Sequence, residues 1–173
     1  SCDALATALQ YNTHLTKLIL QDTHLTNAGL ARLAVGLGRN RSLTKLNLRG
    51  NHLQGELGCE ALANALSPSL SSSSSSLSVS SSSSSCVASA LQVLDVSENN
   101  LGNAGAAALG RLLSTNPTAL QELHVESCDM TGSGVAALAQ GLRQNTHVQE
   151  LNMCQNVVDT KAANVVANML ECN

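Results

Sequence analysis

Four side chains in the second half of the sequence have the residue types of metal ligands. Asp95 precedes Glu122, His124 and Glu126, and the last three alternate with apolar residues along one short stretch. Carboxylate and imidazole groups bind Zn²⁺ and related ions. Such alternation is typical of a strand, however, and a flat sheet spreads these groups in a plane instead of wrapping them around an ion. We therefore expect no metal site.

A second stretch, GSGVAA at 132–137, half-matches the G-x-G-x-x-G/A loop that binds dinucleotides. The same glycine position recurs elsewhere in the chain, where Gly29, Gly58 and Gly105 correspond to Gly134, so a repeat already accounts for it. No acidic residue follows at the distance that a doubly wound fold requires. The sequence therefore predicts no bound cofactor.

The histidines and nucleophiles form no recognisable catalytic set. His24 and His52 share one position of a repeat, His14 and His147 share another, and all four are predicted to be exposed loop residues. No serine or cysteine has a general base that the pattern can assign to it. We predict no catalytic residue and no enzymatic activity.

The cysteines and the overall charge bear on location and partners. The six cysteines contain no C-x-x-C pair, which favours reduced thiols in a cytoplasmic protein, with disulfides in a secreted protein as the alternative. No apolar run approaches the ~20 residues of a membrane span. The net charge of −3 does not favour nucleic acid. We expect neither a membrane nor a nucleic acid as partner.

The elements that position these residues come from an internal repeat. Five similar segments begin at Leu15, Leu43, Leu91, Leu120 and Val148, at intervals of 28, 48, 29 and 28 residues. Hydrophobic residues make up 43% of the chain but aromatic residues only 1%. Such a core must be built from many similar aliphatic side chains packed regularly, as in repeat proteins.

Each segment predicts one strand and one helix. The start, L-x-x-L-x-L, alternates as a half-buried strand does. A small polar residue follows at the ninth position, where its side chain can bond free backbone groups and stack into a ladder along the array. These ladder residues are Thr23, Asn51, Asn99, Cys128 and Asn156. A glycine then marks the start of an amphipathic helix, and so short a unit must stack on its neighbours to bury its apolar face.

The pattern L-x-x-L-x-L-x-x-[NC]-x-L with its phased glycine resembles the ribonuclease-inhibitor-like class of leucine-rich repeats, over nearly all of residues 1–173 except a serine tract. The resemblance extends to the repeat regions of NOD-like receptors and of Ran GTPase-activating proteins. It implies an α/β leucine-rich repeat solenoid, a right-handed β–α superhelix with short parallel strands on the concave face and helices on the convex face.

The strand face is the predicted partner-binding surface, because solenoids usually engage ligands there. Its charge changes from basic to acidic along the array, which suits a protein with complementary charges. Alternation also places Ile19, Val93, Ser97 and Cys154 on this face. The predicted contact residues are Lys17, Gln21, Lys45, Asn47, Arg49, Asp95, Glu122, His124, Glu126, Glu150 and Asn152.

The long interval coincides with the serine tract. Sixteen of the twenty-four residues between Ser67 and Ala90 are serine, and the repeat phase resumes at Leu91. Closing the longer loop costs about 1.2 kcal/mol, less than the ~1.5–3 kcal/mol that each re-buried Leu or Val contributes. We predict one domain over 1–173 with a disordered insertion at 67–90. A decayed sixth unit around SSSLSV at 74–79 is the alternative.

These features predict a non-enzymatic module that binds a protein partner, in innate-immune-type sensing or scaffolding. Two alternatives stay open. The first is a regulator that activates a Ran-type GTPase. The second is a fragment of a longer repeat protein without independent activity, since the chain begins with serine and shows no obvious polar caps.

Overall fold

Strands and helices alternate along the chain in the computed structural model, which describes residues 2–67, 89–115 and 119–172. A first helix precedes five strand–helix units. The elements are α1 Cys2–Tyr11, β1 Lys17–Ile19, α2 Asn27–Leu37, β2 Lys45–Asn47, α3 Gly55–Leu66, β3 Val93–Asp95, α4 Gly102–Ser114, β4 Glu122–His124, α5 Gly132–Leu142, β5 Glu150–Asn152 and α6 Thr160–Cys172.

The five strands form one parallel sheet in chain order. The central leucine of each strand lies beside that of the next, so the register follows the repeat, in the row Leu18, Leu46, Leu94, Leu123 and Leu151. β2 pairs directly with β3: the Leu48 amide donates to the Asp95 carbonyl at 2.7 Å. The predicted α/β leucine-rich repeat solenoid is confirmed. Residues 68–88, on which the predicted disorder and the alternative sixth unit fall, lie outside the described residues.

The core lies between the sheet and the helices. In the inner units the central strand leucine and the apolar residue two positions later are buried, as Leu46 and Leu48 are. Helix leucines such as Leu62 and Leu109 pack against them. This arrangement leaves the other two residues of each three-residue strand on the opposite side of the sheet, where they are exposed or half-buried.

The predicted ladder is confirmed by its hydrogen bonds. Asn51 Nδ2 donates to the carbonyls of Leu20 at 2.7 Å and Leu48 at 2.8 Å, and its Oδ1 accepts from the Leu25 amide at 2.8 Å. Asn99 and Asn156 make the same kind of bonds between successive turns. Each side chain therefore joins two units and holds the strand ends at a constant spacing.

The helices begin before the phased glycines that were predicted to mark their starts. The helices begin two or three residues earlier, at Asn27, Gly55, Gly102 and Gly132, so the phased glycines belong to the first turn. Other glycines set the helix spacing: a Cβ on Gly141 would lie 2.1 Å from the backbone oxygen of Gly110. Backbone contact at this point holds α4 and α5 close together.

Candidate functional site

The strand register places the predicted contact residues in rows on the open face of the sheet, defined here as the side opposite the helices. The first row is Lys17, Lys45, Val93, Glu122 and Glu150, and the second row is Ile19, Asn47, Asp95, His124 and Asn152. Gln21, Arg49 and Glu126 lie two residues beyond the strand ends, not within strands. The fold thus brings all eleven predicted residues onto or next to one surface.

The predicted location of Ser97 on the open face is wrong. Alternation placed it on the open face, but its side chain is buried and its Oγ accepts a hydrogen bond from the Glu126 amide at 3.1 Å. The chain turns after Asp95, because the strand is only three residues long. Ser97 therefore connects the end of β3 to the turn after β4 by a hydrogen bond, and its buried side chain is not accessible to a partner.

Three of the predicted residues also end their strands. The side-chain oxygens of Asn47, Asp95 and Asn152 each accept a hydrogen bond from the amide two residues later, at 2.8, 3.0 and 3.0 Å. Asn and Asp form such local turns readily. Their place in the second row thus has a structural reason, and a partner would meet side chains already fixed by the backbone.

Like charges lie next to each other at both ends of the first row. Lys17 pairs with Lys45 in register on β1 and β2, and Glu122 pairs with Glu150 on β4 and β5. Neighbouring parallel strands lie ~4.8 Å apart. The open face therefore has a basic end and an acidic end, each made of two side chains of the same sign.

An ion-pair network occupies the middle of the face. Arg49 Nη2 lies 2.7 Å from Glu98 Oε1, and Arg49 Nη1 lies 3.6 Å from Glu126 Oε2. The hydrogen bond that the Arg49 guanidinium donates to Glu98 raises the pKa of Arg49. Burial opposes this shift, and the charges of Glu98 and Glu126 add to it. Asn152 Nδ2 donates to the same Glu126 oxygen at 3.3 Å. Arg49 thus pairs most closely with Glu98 and links it to Glu126 across the face.

Glu98 was missed by the sequence reasoning. It follows Ser97 at the turn and has a positive φ of 54°. Strand alternation gives no signal for such a position, since the side chain leaves the sheet from a turn. The sequence did offer one signal for Glu98: it lies in the turn of the unit that follows the unit of Arg49, and equivalent turns of adjacent units must lie side by side.

The candidate metal ligands lie spread along the face. His124 Nε2 is 3.8 Å from Glu122 Oε2, while Glu126 faces Arg49. In the described part of the chain, no three His, Cys, Asp or Glu side chains come together as a metal-binding group.

Two cysteines lie in the core beneath the sheet. Burial raises the pKa of Cys59 and of Cys128 to about 12, with smaller contributions from nearby ionisable groups. Only the thiolate of cysteine is a strong nucleophile or metal ligand. Both thiols therefore stay protonated near neutral pH. Cys59 packs within the core, and the Cys128 thiol donates to the Val96 carbonyl at 3.4 Å.

Comparison with known protein families identifies the repeat. The family model described as leucine-rich repeat matches residues 11–34, 39–63, 89–110 and 116–139, more than half of the chain. The chain belongs to the leucine-rich repeat family. The repeat resembles ribonuclease inhibitor from Mus musculus, with 34% identity over 171 residues covering 98% of this chain and 33% of the relative. Human NACHT, LRR and PYD domains-containing protein 5 is 31% identical over 170 residues, covering 91% of this chain and 14% of the relative.

These relatives support the ribonuclease-inhibitor-like and NOD-like receptor-like resemblance, although this leucine-rich repeat chain spans a third or less of the length of both. Solved structures agree on the fold. Leiomodin-1 actin-binding site 2 superposes with a TM-score of 0.68 at 16% identity, covering 98% of this chain and 89% of that chain. The tropomodulin C-terminal domain of Caenorhabditis elegans gives 0.60 at 14% identity, covering 99% and 92%. No helix in the described ranges is long and apolar enough to cross a membrane.

Proposed function

We propose that this leucine-rich repeat chain is a non-enzymatic module that binds a protein partner through the open face of its sheet. The observation that carries the proposal is the pairing of like charges, Lys17 beside Lys45 and Glu122 beside Glu150. Like charges directly opposite each other destabilise a sheet. A partner that places carboxylates over the lysines and cations over the glutamates relieves both repulsions.

The distance between the two charged ends describes the partner further. The basic end lies on β1 and β2 and the acidic end on β4 and β5, so corresponding strands of the two ends are three strand spacings apart, about 14 Å. Between these ends Arg49 is paired with Glu98 and lies 3.6 Å from Glu126, so its charge is already met within the face. We infer a partner surface with an acidic patch and a basic patch at this distance. The remaining predicted residues, among them Gln21, Asn47 and His124, make polar contacts beside these patches.

The names of similar proteins support a protein as the partner. Ribonuclease inhibitor is named for its action on a protein, and the leiomodin-1 structure is titled as an actin-binding site. The likeness to NACHT, LRR and PYD domains-containing proteins supports innate-immune-type sensing or scaffolding as the finer function. The partners of these proteins do not follow for this chain, since proteins that share a repeat fold can recognise different partners through different surface residues.

We also propose a reducing compartment, the cytoplasm, for this chain. Cys2, Cys59, Cys128 and Cys154 are free thiols. Free thiols persist where glutathione and thioredoxin keep cysteines reduced. Fluorescence microscopy of the tagged full-length protein tests the proposal, and localisation to the secretory pathway would contradict it.

Charge reversal tests the binding face. The double variant Glu122→Lys and Glu150→Lys keeps two like charges side by side, so the fold experiences a similar repulsion while the acidic end becomes basic. The control variant Glu60→Lys and Glu171→Lys changes the net charge equally at exposed positions on α3 and α6. Glu126 is left unchanged because its pairing with Arg49 would confound the result.

The measurement is quantitative capture of proteins from the source cell on each immobilised variant at ~50 and ~500 mM salt. We expect at least one protein that wild type and the control both capture, that the face variant loses by tenfold or more, and that high salt weakens. A set of captured proteins that is identical for all three chains would overturn the proposal.

A further inference from the structure

Two histidines outside the open face contact each other. His24 and His52 occupy the same turn position of the first two units, and both are exposed. His24 Nδ1 lies 3.0 Å from His52 Nε2, with ring centroids 5.1 Å apart and the ring planes at 17°. Twenty-eight residues separate them in the chain, so the stacking of units alone brings these nitrogens together.

The backbone holds both turns in place. The His52 amide donates to the Leu25 carbonyl at 2.9 Å, and the Leu25 amide donates to Asn51 Oδ1 at 2.8 Å. The backbone positions of His24 and His52 are therefore fixed relative to each other. The distance between their ring nitrogens changes only when the side chains rotate. Groups held in advance at their binding distance lose little conformational entropy when a ligand binds.

The distance between the nitrogens is close to that of two ligands on one metal ion. Zn–N bonds are ~2.0–2.1 Å long, and a tetrahedral angle between them places the two nitrogens ~3.3–3.4 Å apart. The observed 3.0 Å requires an opening of a few tenths of an ångström, which exposed rings can supply. The proton shared by the inner nitrogens moves to the outer nitrogen of the ring that donates it. Each outer nitrogen, His24 Nε2 and His52 Nδ1, then carries one proton, and both inner nitrogens present lone pairs.

We propose that His24 and His52 form a two-histidine site for a divalent transition-metal ion of the zinc type. Imidazole favours Zn²⁺, Ni²⁺ and Cu²⁺ over Mg²⁺ and Ca²⁺, which prefer oxygen ligands. The described residues contribute no third His, Cys, Asp or Glu to a metal group here, so water completes the coordination. Such a site is exchangeable, and its occupancy follows the supply of metal. Because the first two units are joined across it, the bound ion stabilises their interface.

Zinc titration of tag-free protein tests the site by isothermal calorimetry. The experiment uses a Cys154→Ser background, because Cys154 is an exposed free thiol and thiolates are Zn²⁺ ligands that would compete with the site. We expect one Zn²⁺ per chain. His24→Asn and His52→Asn should each lower the affinity at least about tenfold, because the second ligand then no longer acts within the same molecule.

Asparagine suits both positions, which keeps the variants folded. The third unit carries Asn100 at the equivalent place, and asparagine tolerates the positive φ of 55° at His24. His14→Asn is the matched control, since His14 is an exposed histidine of another turn, and it should leave the affinity unchanged. Two results would overturn the proposal: the absence of binding at millimolar Zn²⁺, or binding that survives unaltered in the double variant at His24 and His52.

Discussion

At the residue scale, each asparagine of the ladder forms several hydrogen bonds to the backbone of two neighbouring units. Asn99 is buried, and its Nδ2 donates to three backbone carbonyls at 2.9–3.0 Å, those of Leu48, Val96 and Ser97. Its Oδ1 accepts from the Leu53 amide at 3.1 Å. One amide group thus satisfies backbone groups of two units where the strands end and no sheet partner is available.

Asn99→Ala is therefore expected to destabilise the chain by at least about 3 kcal/mol, because each buried polar group left without a partner costs ~1–3 kcal/mol. Urea denaturation followed by circular dichroism measures the change. Asn100→Ala is the neighbouring control, since Asn100 is exposed, and its effect should stay within ~0.5 kcal/mol. Equal losses for the two variants would contradict the ladder's role.

The buried thiols predict a dependence of stability on alkaline pH. The pKa of Cys59 and of Cys128 is raised to about 12 in the folded chain, against ~8.5 for an unfolded thiol. The unfolded state releases these protons first, so the contribution of both thiols is complete below pH ~8.5 and is lost as the pH rises towards 12. The urea midpoint should fall between pH 8 and 10.5, and fall less in the Cys59→Ala/Cys128→Ala variant. Parallel slopes for both proteins would contradict this assignment.

At the element scale, glycine decides how closely the helices approach. Gly110 and Gly141 place the backbones of α4 and α5 in contact, and Gly36 does the same for α2 against Ala6 of α1. Glycine inside a helix normally costs ~0.5–1 kcal/mol relative to alanine. These positions keep it because a methyl group would meet the backbone of the neighbouring helix, which has no flexible side chain to move away.

Gly141→Ala should accordingly destabilise the fold by about 1–3 kcal/mol, since overpacking outweighs the gain in helix propensity. Thermal unfolding followed at 222 nm measures the effect. Gln140→Ala changes the adjacent exposed residue of α5 and should leave the melting temperature nearly unchanged. A more stable Gly141→Ala protein would show that α4 and α5 can separate without cost.

At the scale of the whole molecule, burial declines towards the last unit. Leu170 is 67% exposed, whereas its equivalents Leu142 and Leu113 in the two preceding units are 3% and 0% exposed. The equivalent turn residues show the same contrast, with Val158 at 50% and Met130 at 1%. Each inner unit is covered on both sides, and the last unit is covered on one side among the described residues.

We expect the amides of α6 to exchange with solvent at least tenfold faster than those of α4, since opening α6 exposes less apolar surface. Hydrogen exchange followed by NMR or mass spectrometry measures both helices in one sample. Equal protection of α4 and α6 would mean that the array opens as a single cooperative unit.

The interval of 48 residues between the second and third units raises the question of one domain or two. We propose a single domain over 1–173, supported by the direct pairing of β2 with β3. Deleting Ser69–Ser85 leaves seven residues between Leu66 and Leu91, against six between Leu113 and Leu120, so the connection still spans the gap.

The deletion should leave the melting transition unchanged or slightly raised, because a shorter loop costs less entropy to close. Calorimetry of the intact and shortened chains makes the comparison. A loss of more than about 2 kcal/mol would mean that the tract packs against the repeats, because loop closure, on a scale of ~1.2 kcal/mol, would change stability in the opposite direction.

The sequence by itself determined the units, their strand–helix order, the lateral rows and the ladder. These follow from alternation within a strand and from the spacing of 28 or 29 residues, seen from Leu15 to Leu43 and from Leu91 through Leu120 to Val148. Both are local patterns that stacking can satisfy in one register. The resemblance to leucine-rich repeats rested on the same residues.

Only the tertiary structure decided which side chains meet. The pairing of Arg49 with Glu98, the burial of Ser97 and the contact between His24 and His52 involve residues in turns. There the backbone leaves the two-residue period of a strand, and the direction of a side chain depends on φ values that no apolar pattern encodes. Alternation could place charges on a common face, but the distances between them depend on how adjacent units pack.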